Sequence, residues 1–186
     1  MNPLPRRLLS ANPEDAELHE GLDLGPLLDA AVPPTAAPPS DLRARLLRSA
    51  SPYASFADRV AALFEVGVDT ARQYLRDVGL QASWSAFTDT CALLHVAGGP
   101  ALAGADIGFV RVANGAAFPA HIHDGLERTL VLTGVMVEAD GSRHGPGALI
   151  ERGPGHHAFS ADGELIFAVV VFGVRFPGDL QDKLHG

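Results

Sequence analysis

Residues 115–134 read GAAFPAHIHDGLERTLVLTG. Two histidines stand two apart, His121 and His123, and a glutamate follows four further on, Glu127; a glycine closes each end, Gly115 and Gly134. Side chains two apart on a β-strand project from the same face, so both histidines can point into one interior. Glu127 follows after a short bend through Asp124-Gly125-Leu126. Three ligands this close in sequence leave one side of an ion open, and a fourth is expected from another strand. His156 and His157, in RGPGHHAFS, are the candidates. Imidazoles with one carboxylate make a mixed nitrogen and oxygen site that suits Zn, Mn, Fe, Ni or Cu, and no thiolate is in reach. Solvated histidines near loops are the alternative for a lone His-x-His pair; the glycines, the glutamate and the second histidine pair weigh against it.

Outward from this stretch, the chain from about residue 84 reads as short strands between turn signals. Strands are expected at 92–96, 106–113, 128–138, 148–151, 157–160 and 164–174. AGGPALAGA, EADGSRHGPG, RGPG and SADGE mark turns, with Asp140-Gly141 and Asp162-Gly163 as hairpin-like pairs. The longest apolar run, LIFAVVVFGV (165–174), is too short to span a bilayer and predicts a buried strand. Many short strands with regular glycine punctuation imply an antiparallel sandwich or small barrel.

Upstream the pattern is helical. Residues 11–31 alternate acidic and leucine-rich pieces, and VPPTAAPPS (32–40) is a linker, since four prolines in nine residues exclude a helix or a central strand. Ser40 or Asp41 can cap a helix over DLRARLLRSA, with Leu42, Leu46 and Leu47 on one side. A second helix is expected at 54–66, where Phe56, Val60, Leu63 and Phe64 form an apolar stripe, with Gly67 as its stop. A third, TARQYLRDV, is expected to be capped by Asp69 and closed by Gly79.

Composition limits the partners. With a net charge of −8 over 186 residues, the chain is not built for non-specific binding to nucleic acid or to an anionic membrane. FEVGVDTARQYLRDV carries only Arg72 and Arg76, a weak basis for a helix-turn-helix. One cysteine, Cys91, rules out an intramolecular disulfide framework and fits a reducing compartment; MNPLPRRLLSANPED has no apolar segment after its arginines, so a cytoplasmic location is expected. Cys91 is expected as a buried apolar residue, His95 as a core or rim residue, and His144 as solvated. Trp84 and Phe87 are expected to cover a barrel mouth or a subunit interface.

The opening stretch resembles the first cupin motif, G-x5-H-x-H-x3-E-x6-G, whose five positions are filled without a gap by Gly115, His121, His123, Glu127 and Gly134. GPGALIERGPGHHAF (145–159) resembles the second, G-x5-P-x-G-x2-H: Gly147 and Gly155 fit, Gly153 stands where proline is usual, and one residue is missing before the histidine. The frequent His-x-Phe ending points to His157, followed by Phe159, with His156 as the alternative. The resemblance implies a mainly β fold: a cupin β-barrel, or double-stranded β-helix (jelly roll), over about 85–178, preceded by a small α-helical segment at 41–80. It implies His121, His123, Glu127 and His157 as ligands of one divalent metal ion, zinc first, with Mn, Fe, Ni or Cu as alternatives. Phe118 and Pro119 would be wall residues.

LHVAGGPALAGADIGFVRVANGAAFPAHIHDGLERTLVLTG (94–134) is similar to the cupin domain of ChrR-like anti-sigma factors. FADRVAALFEVGVDTARQYL (56–75) resembles the helices before that domain, and PPSDLRARLLRSA (38–50) the segment after the family's zinc-binding domain. The His…His-x3-Cys-x2-Cys zinc pattern of such factors has no counterpart, because residues 1–40 hold His19 and no cysteine. What the resemblance implies is a regulatory or sensory protein whose partner is a sigma factor or another regulatory protein, gripped by the helices. Leu42, Leu46, Phe56, Val60 and Phe64 would be the contacts or the core. A homodimer is also expected, because a barrel exposes sheet edges and the apolar-striped helices need a surface. The alternative is a metal-dependent cupin enzyme, a dioxygenase or isomerase acting on a small molecule.

Overall fold

The computed structural model describes residues 51–184. The expected helix at 41–50, the segment 11–31, the linker 32–40, His19, Leu42 and Leu46 lie outside these residues. A 3-10 turn at Ala54–Phe56 leads into α1 (Ala57–Phe64), followed by α2 (Val68–Val78). The strands are β1 (Ser85–Ala86), β2 (Cys91–His95), β3 (Ala105–Val112), β4 (His121–His123), β5 (Glu127–Glu138), β6 (Arg143–His144), β7 (Leu149–Arg152), β8 (Gly155–His157), β9 (Phe159–Phe172) and β10 (Val174–Arg175). A short helix, α3 (Leu180–Leu184), ends the described chain.

The helix boundaries differ in detail from the sequence expectation. α1 ends on Glu65, in the left-handed conformation at φ 54°, rather than at Gly67. The N-cap of α2 is Gly67, extended at ψ 148°, and no side chain caps the helix; Asp69 lies inside the first turn and pairs with Arg72 at 2.7 Å. A cap residue must have non-helical backbone angles, and here the glycine supplies them. Gly79 closes α2 as expected.

All strand pairs are antiparallel. One sheet runs β1-β2-β3-β9-β5-β6, with β7 also on β5; the other runs β10-β4-β8. This is the jelly-roll architecture. The larger sheet is apolar on both faces, which is why LIFAVVVF reads as one unbroken run. Its inner face presents Val110, Val112, Val131, Leu165, Phe167 and Val171 to the barrel interior, where Val174 of the smaller sheet meets them. Its outer face presents Ile107, Phe109, Leu130, Leu132, Ile166 and Ala168 to the helices. Val60, Phe64, Ala71 and Leu75 are fully buried there, and the Phe64 ring meets Phe109 edge-on at 5.3 Å. The helical stripe therefore packs on the chain's own sheet. Val60 and Phe64 are core residues, and the helices supply no ground for a homodimer.

β5 and β9 bend together. Their register shifts between Val131 and Thr133 and again between Thr133 and Val135. Gly134 (φ 70°) and Gly163 (φ 79°) face one another at this bend, where a Cβ on Gly163 would sit 3.7 Å from the Gly134 Cα. Asp162-Gly163 is therefore not a hairpin turn, as its dipeptide suggests. β9 runs through it, and Gly163 donates its N–H to Asn114 Oδ1 at 2.8 Å. Asp140-Gly141 does form the expected hairpin, between β5 and β6.

Trp84 is not at the barrel mouth but packs against the cluster between the helices and the sheet. Its indole N–H donates to Val78 O at 3.1 Å and its ring lies 4.3 Å from the Arg111 guanidinium, so it finishes the end of α2. Phe87 is buried in the interior, edge-on to Phe176 at 4.9 Å, and Cys91 is buried in the same cluster. His95 is at the exposed end of β2, and His144, half-buried in β6, lies 3.9 Å from Glu138.

Candidate metal centre

The alternation of β4 sets the first two positions. His121 and His123 are buried and Ile122 between them is exposed. Antiparallel pairing of β4 with β8 sets the next: His157 stands opposite His121, and His156 opposite Ile122. His157 thus shares the inner face and His156 is exposed. Glu127, at the start of β5, closes the group and is only 4% exposed.

The four side chains converge on one carboxylate oxygen. Glu127 Oε2 lies 3.7 Å from His121 Nε2, 3.8 Å from His123 Nε2 and 3.2 Å from His157 Nε2. Ligand atoms of His121, Glu127 and His157 all fall within 4.8 Å of one another, so this group could hold a metal ion. His123 Nε2 is 3.8 Å from the same oxygen but lies outside that three-residue group.

The donor set fits a cation. His121 Nδ1 lies 2.9 Å from Pro119 O, and His123 Nδ1 lies 2.8 Å from Gly125 O. A carbonyl oxygen only accepts, so both Nδ1 atoms carry the proton and donate. In the neutral rings each Nε2 then turns a lone pair toward a carboxylate oxygen. Lone pairs facing one another need a positive charge between them, and backbone carbonyls orienting ring nitrogens in this way are what metal-binding histidines use. Burial pushes the Glu127 carboxyl up, but the His121 and His157 rings beside it and the Arg152 guanidinium outweigh burial and hold the group well below the usual carboxylate range.

Two more side chains complete the site. Thr129 donates to Glu127 Oε1 at 3.0 Å, and Arg152 Nη1 donates to the same oxygen at 2.7 Å. Thr129 could have been found from its place two residues beyond Glu127 on one strand. Arg152 could be found only through the β5–β7 register, which sets it opposite Glu127. The wall is aromatic: Phe118 stacks on Phe159 at 5.1 Å and meets His121 edge-on at 5.3 Å. An apolar cavity bounded by Phe118, Phe167, Phe176 and Leu184 opens onto His121 and Glu127.

The family model described as the ChrR cupin-like domain matches residues 78–171, just over half of the chain. The chain belongs to this ChrR cupin-like family. Among curated proteins, none matches the sequence. Solved structures similar to this cupin include an acetylacetone dioxygenase from Acinetobacter johnsonii, at 16% identity and a TM-score of 0.46, covering 55% of this chain and 76% of that one. Another is the Rhodobacter sphaeroides complex of SigE with the anti-sigma ChrR, at 20% identity and 0.47, covering 80% of this chain and 74% of that one. KdgF from Halomonas sp. matches at 18% and 0.40, over 48% and 83%. Likenesses of this degree carry nothing about function.

Proposed function

We propose that this protein is a metal-binding regulatory cupin. In this proposal His121, His123, Glu127 and His157 hold one divalent ion, zinc first, and α1 and α2 transmit its state to a protein partner of the sigma-factor or transcription-regulatory class. The observation that carries the metal site is the convergence of three imidazole Nε2 atoms on Glu127 Oε2, at 3.2 to 3.8 Å. Membership of the ChrR cupin-like family supports the regulatory role, as does the packing of the helices on the outer face of β5, whose inner face bears Glu127. The division that goes with it is a helical segment over 41–80 and a barrel over 85–178, in a cytoplasmic setting. Among the described residues, no helix is long and apolar enough to cross a membrane.

When bound, the ion supplies Lewis acidity and a charge that ties β4, β5 and β8 together. The residues orient the ligands, exclude water with the Phe118 and Phe159 rings, and keep a proton on each Nδ1, which donates to the carbonyl of Pro119 or Gly125. A second role, a metal-dependent enzyme acting on a small molecule, is favoured by the apolar cavity that opens onto His121 and Glu127. Four protein ligands close tetrahedral zinc but leave positions open on an octahedral ion. Metal analysis of protein purified from its own cell, with identification of co-purifying proteins, tests both. Zinc and a regulatory partner are expected. Iron or manganese, no partner and turnover of a small molecule would establish the enzyme instead.

A further inference from the structure

Arg152 is placed with unusual constraint. The β5–β7 register sets it directly opposite Glu127, so the two side chains share a face. Nη1 donates to Glu127 Oε1 at 2.7 Å, Nη2 donates to Glu138 Oε1, and Nη2 also lies 3.6 Å from Met136 Sδ. The side chain is 16% exposed. Glu127 and Glu138 stand at opposite ends of β5, which would separate them by about 36 Å if the strand were straight. The bend at Gly134 brings them to one guanidinium.

The two oxygens of Glu127 consequently have different work. Oε1 receives hydrogen bonds from Arg152 and Thr129. Oε2 alone faces the three imidazoles. An unrestrained carboxylate can grip a metal ion with both oxygens, but one whose Oε1 is turned toward two donors can offer only the other. Arginine suits this task because its fork is planar, permanently charged and able to bridge two carboxylates at once, whereas lysine places a single point charge.

We propose that Arg152 is a positioning residue that holds Glu127 as a one-oxygen ligand, and so sets the number of protein atoms around the ion at three nitrogens and one oxygen. The proposal rests on the reading of His121, His123, Glu127 and His157 as ligands. Glu138 anchors Arg152 from the other side.

The test uses the full chain loaded with Co(II), comparing wild type with Arg152→Met and Arg152→Lys. Competition with a chromophoric chelator should show Arg152→Met binding Co(II) about 10- to 100-fold more weakly. Its visible absorption should weaken and move to shorter wavelength as Oε1 joins the ion and the coordination number rises. Arg152→Lys should fall between the two in both readouts. An Arg152→Met protein with unchanged affinity and spectrum overturns the proposal while leaving the metal site standing. If Arg152→Met does not fold, Arg152→Lys decides by the same readouts, and a wild-type result from it overturns the proposal. Wild-type protein that takes up no Co(II) overturns the metal site and the clamp together.

Discussion

His123 and His156 are both histidines on short strands next to the same cluster, and the face of the strand from which each projects separates them. His123 is 1% exposed and faces Glu127, whereas His156 pairs with Ile122 and is exposed. Replacing His123 or Glu127 with alanine is expected to cut metal content at least about tenfold, because each removes a ligand from a four-ligand set. His156→Ala is expected to leave it unchanged. Elemental analysis of protein purified without added metal reads this, and full occupancy in both the His123 and Glu127 variants would sink the assignment. The shared face of His121 and His123 was legible in the sequence because alternation along a strand is a local property, whereas the choice of His157 over His156 came from the cupin resemblance. Arg152 and Thr129 were not singled out. Arg152 depends on the register between two strands 25 residues apart, which local spacing does not contain.

At the scale of the element, the bend in β5 depends on Gly134. A Cβ there would lie 2.4 Å from Glu164 O, a backbone atom that cannot rotate away, and the φ of 70° is left-handed. Gly115, at φ 74°, has nothing within 4 Å of such a Cβ. Gly115→Ala should therefore cost only backbone strain, about 1–3 kcal/mol, and Gly134→Ala should cost clearly more. Urea unfolding midpoints compare them, and equal losses would remove the steric account of the bend. The helical layer makes a separate prediction. Phe64→Ala deletes a fully buried ring from the interface of α1 with the sheet and should destabilise by about 3–5 kcal/mol; a loss below about 1 kcal/mol would mean that the helices do not rest on the sheet in solution. Long strands could be read from the sequence because apolar runs and alternation extend over several residues. β1, β6, β8 and β10, of two or three residues, are too short to show a period. Asp162-Gly163 misled because a glycine with positive φ serves a bend inside a strand as readily as a hairpin turn.

For the whole molecule, a bound ion would join β4, β5 and β8 at one point, where Glu127 Oε2 already meets the three imidazoles. A ligand bound only by the folded state stabilises it by about 2.7 kcal/mol at a hundred times its dissociation constant. A chelator should accordingly lower the melting temperature of the wild type but leave that of Glu127→Ala unmoved, as differential scanning calorimetry would show. Equal sensitivity in the two proteins would count against the site. Assembly is a separate question of sheet edges: a homodimer is the expected mass by light scattering, and a monomer mass at micromolar concentration would exclude it. The two faces of β5 carry one last consequence. Glu127 and Thr129 point to the histidine cluster while Leu130 and Leu132 support α1 and α2, so an ion bound there and the helical layer would press on the same strand from opposite sides. Reciprocity then binds the two surfaces: a partner whose grip on the helices is weakened tenfold when the ion is bound must itself weaken the hold on the ion tenfold. The metal affinity measured on the isolated chain and that measured in the partner complex would be two different constants, and their ratio would give the strength of the signal.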